Sequence, residues 1–161
     1  VRGYGPVKDE SFQAIKNAIK GDKWLQKVEE KFFLAGQIFP SDVKSLKEHG
    51  FQTIVCNRPN GEEEGQPIYT EIEKTCNEND IKCFFIPISP GEIDPGKVFE
   101  LNSIIQEEKK TLAYCRTGNR SITQWAFANA KDLDAEIILD KCKSAGFDLN
   151  NLKEVLLAIK G

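Results

Sequence analysis

Residues 111–121 read Thr-Leu-Ala-Tyr-Cys-Arg-Thr-Gly-Asn-Arg-Ser, and their reading decides the fold. Thr111–Cys115 is a short apolar run of the kind a buried strand uses. It enters a loop, 116–120, and then a helix predicted from Ser121 to about Leu133. A strand that turns through Gly118 into a helix aims consecutive backbone N–H groups into one concavity, and the helix dipole adds partial positive charge there. Gly118 permits the positive φ or close approach that such a turn needs. Cys115 stands at the strand end facing these donors, an arrangement that favours thiolate over thiol and makes a cysteine reactive. Arg116 and Arg120 supply formal charge, and an Arg fork can hold two oxygens of a phosphate or sulfonate at once. Thr117 and Asn119 complete the loop. Ser121 is placed to cap the helix or to hydrogen-bond the sulfur. The bland alternative is a packed strand cysteine with two surface arginines. It leaves the coincidence of strand, glycine turn, paired arginines and helix start unexplained.

Working outward, strand and helix patterns alternate. Phe32–Ala35 and Thr53–Cys56 read as short buried strands, and Ile81–Ile88 as a third that ends near Pro87. Helices are predicted from Ser41, as cap, to about His49 with Gly50 beyond, over 68–79, from an Asp94 cap with Pro95 in the first turn, and from Asp134 and Asn150. Alternation with short connections predicts an α/β fold, a mostly parallel central sheet flanked by helices. Phe12, Ile15, Ala18 and Ile19 have helical spacing over 9–20, so residues 1–30 are expected to form an N-terminal helical extension packed on a catalytic domain of 31–161.

In open sheets of this kind, ligands collect outside the carboxyl ends of the strands. Those ends carry Gln37, Asn57, Arg58 and the loops 89–94 and 115–121, where the best polar chemistry of the chain lies. Arg58 either adds charge at the mouth of the pocket or pairs with Glu62–Glu64 in the loop that follows it. That acidic run reads as a solvated loop tip that repels very anionic substrates. Trp125 and Phe127 are expected in the core. His49 is the only histidine, which excludes a Ser-His-Asp triad and a His-rich metal site.

Bulk properties set the frame. The chain has 161 residues, 40% hydrophobic and 29% charged, which suits one soluble globular domain. A net charge of −3 gives no global field toward nucleic acid or anionic membrane, so any bound anion needs a local cluster. No stretch has the length of a membrane span. The five cysteines, at 56, 76, 83, 115 and 142, match no zinc or disulfide spacing, and four of them read as structural. A reducing cytoplasm is the expected compartment, with a periplasmic location after removal of a leader as the alternative, since the chain begins at Val1 and contains no Met.

The Cys-Arg-x-Gly-x-Arg-Ser run resembles the active-site loop of bacterial rhodaneses and the phosphate loop of protein tyrosine and dual-specificity phosphatases. With Leu-Ala-Gly-Gln at 34–37, Asn-Arg-Pro-Asn-Gly-Glu at 57–62, Ile-Pro-Ile at 86–88, Trp125 and Ala-Gly-Phe-Asp-Leu at 145–149, the chain resembles the bacterial phosphatase group that also forms the N-terminal domain of β-lactamase-hydrolase-like proteins. The resemblance implies a dual-specificity-phosphatase-like fold and a covalent Cys115 intermediate. It also implies a phosphomonoester substrate held by 116–121, and a carboxyl group before the helix leading to the Cys strand as general acid. Glu92 and Asp94 are the carboxyls there, although Asp94 doubles as a helix cap. Two departures bear on the chemistry. The loop between Cys115 and Arg120 is one residue shorter than in those phosphatases, and Tyr114 replaces their usual His. The shorter loop resembles the sulfurtransferase form, so a Cys115 persulfide carrier is the alternative to a phosphatase, and an inactive anion-binding module is a third reading. The expected ligand is a small anion, a phosphate ester or a sulfane sulfur donor. No cofactor, metal, nucleic acid or membrane is implied.

Overall fold

The computed structural model describes residues 25–161, so the helix expected over 9–20 lies outside the described residues. Five strands, β1 (Leu25–Glu29), β2 (Phe32–Ala35), β3 (Thr53–Cys56), β4 (Lys82–Phe85) and β5 (Thr111–Tyr114), form one sheet in the order β1-β2-β5-β3-β4. β1 runs antiparallel to β2, whereas β2, β5, β3 and β4 are parallel. β1 corrects the expected domain boundary. A division between residues 30 and 31 would cut the β1–β2 hairpin, and residues 25–29 are strand rather than helix. Val28 and Leu25 are buried at 4% and 2% exposure, which ties this strand into the core.

Among the described residues six helices cover the sheet: α1 (Pro40–Glu48), α2 (Tyr69–Glu78), α3 (Pro95–Gln106), α4 (Asn119–Ala128), α5 (Ala135–Ser144) and α6 (Lys153–Lys160). Alternate residues of a strand face opposite sides, which is why both faces of β2, β3 and β5 read as unbroken apolar runs. Phe33, Ala35, Ile54, Cys56, Leu112 and Tyr114 pack under α1 and α2. Leu34, Val55 and Ala113 pack against α3, α4 and α5, around a fully buried Trp125. Among the described residues no helix is long and apolar enough to cross a membrane.

Helix starts differ from the expected ones in three places, one of them Asn150, where a 3-10 turn over Asn150–Leu152 precedes α6. α1 begins at Pro40, and its cap is Phe39, whose backbone N–H donates to Asp42 Oδ2 at 2.8 Å, so Ser41 sits in the first turn. α4 begins at Asn119, two residues before Ser121, with Gly118 as its cap residue. That earlier start puts Arg120 and Ser121 on the helix itself.

Candidate active site

β2, β5 and β3 end side by side, and their carboxyl ends are laced together. Cys115 N–H donates to Ala35 O at 3.4 Å, Gln37 N–H to Arg116 O at 3.4 Å, and Asn57 N–H to Tyr114 O at 2.8 Å. Cys115 lies directly beyond β5 with no exposed surface. The chain then folds over it, with Arg116, Thr117 and Asn119 exposed and Gly118 buried. Gly118 has φ +95°, in the left-handed region that favours glycine, and its N–H donates to Cys115 Sγ at 3.1 Å. The sulfur therefore sits beneath the first turn of α4, where uncompensated amides and the positive end of the dipole meet.

Ser121 donates its hydroxyl to Asn57 Oδ1 at 2.8 Å, while Asn57 Nδ2 donates to Ile86 O at 2.9 Å. Both side chains are fully buried. This chain fastens α4 to the ends of β3 and β4, so Ser121 positions the loop and caps nothing.

The acidic run stays exposed, as expected, but Glu62 and Glu63 are tied down by ion pairs. Asn60 Oδ1 accepts Tyr69 N–H at 2.8 Å, and Gln66 bridges Glu62 N–H and Pro59 O, folding the 59–66 loop back over the strand ends. Glu62 Oε2 accepts Arg120 Nη1 at 2.7 Å, and its Oε1 accepts Arg120 Nη2 at 2.8 Å and Arg58 Nε at 2.9 Å. Arg58, only 1% exposed, also donates to Gln37 Oε1 at 2.9 Å and to Glu63 Oε1 at 2.7 Å. Arg116 Nε approaches the same Glu63 oxygen at 3.6 Å. Arg120, chiefly through its hydrogen bonds and aided by Arg58, pulls the Glu62 carboxyl from its ordinary 4.5 to about 2. Glu63 is lowered by Arg58 first and by Arg116 after it. In return Glu62 pushes the Arg120 guanidinium up, with the Cys115 charge acting in the same direction. Three guanidinium groups thus face two carboxylates, and the cluster keeps one net positive charge. These pairs neutralise Glu62 and Glu63, two of the three glutamates expected to repel anions.

The donors of Arg120 can be counted. A guanidinium carries five N–H groups. Glu62 takes the end-on pair, and Ile88 O accepts the second Nη1 hydrogen at 2.8 Å. Nε and the remaining Nη2 hydrogen have no acceptor among the described residues. They lie along one edge, the geometry that grips two oxygens of a tetrahedral anion. Arg58 has no comparable free edge. It is the brace behind Glu62.

The two acid candidates lie on the loop before α3. Asp94 caps that helix, its Oδ1 accepting Gly96 N–H at 2.8 Å and Lys97 N–H at 3.3 Å. Its Oδ2 accepts nothing from the described residues. Glu92 uses both oxygens, accepting Ser89 N–H at 2.9 Å and Lys97 Nζ at 3.2 Å. Those two donors, the Ser89 amide first, hold it below the usual carboxylate range. Glu92 and Ile93 line a cleft with Arg120 and Asn119, whereas Asp94, the next residue in the chain, does not line it. The sequence marks Glu62 only as one possible partner of Arg58, and its bond to Arg120 is not legible there. The Arg-Pro-Asn-Gly turn that precedes it is the signal that points to it.

This layout of sheet and cysteine loop is that of the protein tyrosine and dual-specificity phosphatases. Kinase-associated phosphatase, in a form whose catalytic-site cysteine is replaced by serine, superposes with a TM-score of 0.65 over 85% of this chain and 92% of that one; its 16% identity speaks for fold alone. Residues 24–132 match the phosphatase-like domain of the beta-lactamase hydrolase-like proteins, and the chain belongs to that family. A beta-lactamase hydrolase-like protein of Agrobacterium fabrum is 32% identical over 126 residues, 76% of this chain and 29% of that protein, so the chain spans less than a third of that relative. A Neisseria meningitidis protein assigned as a phosphatase is 30% identical, with a TM-score of 0.71 over 83% of this chain and 96% of its own.

Proposed function

We propose that the protein hydrolyses a phosphomonoester through a phosphocysteine on Cys115. The observation that carries this reading is the free Nε/Nη2 edge of Arg120, held rigid by Glu62 next to a sulfur that already accepts the Gly118 amide. Arg120 and the loop amides hold the non-bridging oxygens, where preorganised donors stabilise charge in the transition state. The Cys115 thiolate attacks phosphorus, the bond to the leaving oxygen breaks, and that oxygen takes a proton from Asp94. Asp94 is assigned this role because its Oδ2 is free to carry a proton, whereas both oxygens of Glu92 are engaged. Glu92 and Lys97 hold the loop. Water then attacks the phosphocysteine as Asp94 takes back a proton from that water, the P–S bond breaks, and phosphate and the Cys115 thiolate are released. Cys115 is fully covered, while Arg116, Thr117 and Asn119 of the loop that follows it are exposed.

A second reading rests on the short loop, with only Arg116–Asn119 between Cys115 and Arg120. In that reading the Cys115 thiolate attacks the outer sulfur of thiosulfate, the S–S bond breaks, sulfite leaves, and the persulfide passes its sulfur to a thiol. One experiment separates the two. The protein is incubated with p-nitrophenyl phosphate, and separately with thiosulfate plus cyanide, and trapped intermediates are weighed intact. The phosphatase reading requires nitrophenol release and an adduct of about +80 Da on Cys115, both lost in Cys115→Ser. Thiocyanate formation with an adduct of about +32 Da and no nitrophenol would replace it by the sulfurtransferase reading.

A further inference from the structure

None of the steps at Cys115 uses the Ala-Gly-Phe-Asp-Leu stretch at 145–149, yet the fold carries it to the cysteine loop. The stretch closes α5. Gly146, at φ +101°, donates its N–H to Lys143 O at 2.9 Å, and Phe147 donates to Cys142 O at 2.9 Å. This crossed pair is the Schellman end of a helix, in which a left-handed glycine reverses the chain and fixes the course of the residue after it. Asp148 Oδ1 then accepts Asn150 N–H at 3.0 Å, and Leu149 is buried. The backbone of Phe147 is thus anchored on both sides, and its side chain packs on the core that holds Leu34 and Trp125. The ring ends at Gly118. A Cβ placed on that glycine would lie 3.4 Å from Phe147 Cζ and 3.2 Å from Leu34 Cδ1, so these two side chains close the space where a side chain would project. The N–H of the same glycine donates to Cys115 Sγ at 3.1 Å, and no other donor reaches that sulfur among the described residues.

We infer that Phe147 is a positioning residue for the chemistry at Cys115: its ring, held by the α5 cap, keeps the Gly118 peptide where its N–H meets the sulfur. A glycine has wide backbone freedom of its own, so the direction of its N–H is set by what packs on it. Leu34 belongs to β2 and moves only with the sheet, which leaves Phe147 as the contact that a side-chain change can loosen. Phe147 touches neither substrate nor sulfur in this role. It acts through Gly118, and a donor misplaced by about an ångström forfeits much of its effect on the reacting atoms. The effect on turnover rests on the Cys115 reading. The effect of the ring on the Gly118 amide does not, because it holds whichever anion the thiolate attacks.

The test reads the amide and the activity separately, on the full chain. The amide resonances of Gly118 are recorded with Cys115 and with Cys115→Ser, and the difference reports the N–H···S bond. That difference is expected to be large with Phe147 present and to shrink severalfold in a Phe147→Ala background. Phe147→Leu, which refills most of the volume, should keep it. Phe147→Tyr serves if the Ala variant does not fold, because it adds an oxygen on Cζ, the atom that faces Gly118, and overpacks the contact. With p-nitrophenyl phosphate, Phe147→Ala should lower kcat by about tenfold and leave KM within about twofold, the pattern of a contact made in the transition state. Phe147→Leu should stay close to the wild-type kcat. A Gly118 response that is the same in all folded Phe147 variants overturns the proposal, whatever happens to kcat. If no form cleaves the ester but the Gly118 response follows Phe147, the phosphatase reading fails and the positioning role stands.

Discussion

Glu62 and Arg120 meet end to end, with both carboxylate oxygens against both terminal guanidinium nitrogens at 2.7 and 2.8 Å. The two residues are 58 positions apart, one on the 59–66 loop and the other in the first turn of α4, yet the pairing fixes which edge of Arg120 faces the pocket. Arg58 behind Glu62 is buried and makes the carboxylate rigid. Glu62 is thus a positioning residue that acts through Arg120. Glu62→Gln puts an amide N–H against a guanidinium and frees Arg120 to rotate. The expected result is a fall in kcat/KM for p-nitrophenyl phosphate of about 10²-fold, the scale on which a misplaced electrostatic donor is felt. Competitive inhibition by inorganic phosphate should weaken in parallel, which a purely structural effect would not produce.

The same pair predicts a pH dependence of stability. Arg120 and Arg58 hold Glu62 at about 2, below its ordinary 4.5, so the folded state prefers the charged form. The stabilisation is complete above the unfolded value and is lost as pH falls toward about 2. Urea midpoints of wild type and Glu62→Gln should differ by a constant amount between about pH 6 and pH 8, and converge between about pH 5 and pH 2. A difference that grows on acidification would contradict the pairing.

Asp94 has two tasks that substitution can separate. Asn caps helices about as well as Asp, whereas Ala does not. Asp94→Asn should retain stability within about 0.5 kcal/mol, and Asp94→Ala should lose about 1 kcal/mol. Neither can donate a proton to the leaving oxygen. Both should therefore lose about 10²-fold on an alkyl phosphate and far less on p-nitrophenyl phosphate, whose leaving group departs unaided. Glu92→Gln, with its Lys97 contact weakened, should show no such dependence on the leaving group.

How much of this was legible in the chain varies with the range of the interaction. The buried strands at 32–35, 53–56 and 111–114 and the Cys115 loop are local patterns, readable from apolar runs and a glycine turn. β1 was not, because Leu-Gln-Lys-Val-Glu mixes apolar and charged residues and is an antiparallel edge strand with only Leu25 and Val28 buried. The Ser121–Asn57 bond and the Glu62 clamp were hidden for another reason. They join residues more than fifty positions apart, and a Glu-Glu-Glu run with Arg58 as its local partner shows nothing of Arg120, which arrives from α4.

Gly118 connects the loop to the core, and its replacement tests both. At φ +95° an Ala is strained, and its Cβ would meet Leu34 Cδ1 at 3.2 Å and Phe147 Cζ at 3.4 Å. Leu34 is fully buried beneath the sheet end and has little room to retreat. Gly146, at φ +101°, offers a control, since a Cβ there meets nothing within 4 Å. Gly146→Ala should cost about 1–2 kcal/mol from backbone strain alone. Gly118→Ala adds crowding to the same strain and should cost about 2–3 kcal/mol, read as a difference in urea denaturation. Relief of that strain tilts the 118 peptide and takes its N–H away from Cys115 Sγ, now 3.1 Å distant. Phosphocysteine trapping in Gly118→Ala should then fall by more than about tenfold, even at temperatures where the variant is fully folded. Normal trapping in a folded Gly118→Ala protein would mean that the amide at the sulfur contributes nothing to the chemistry.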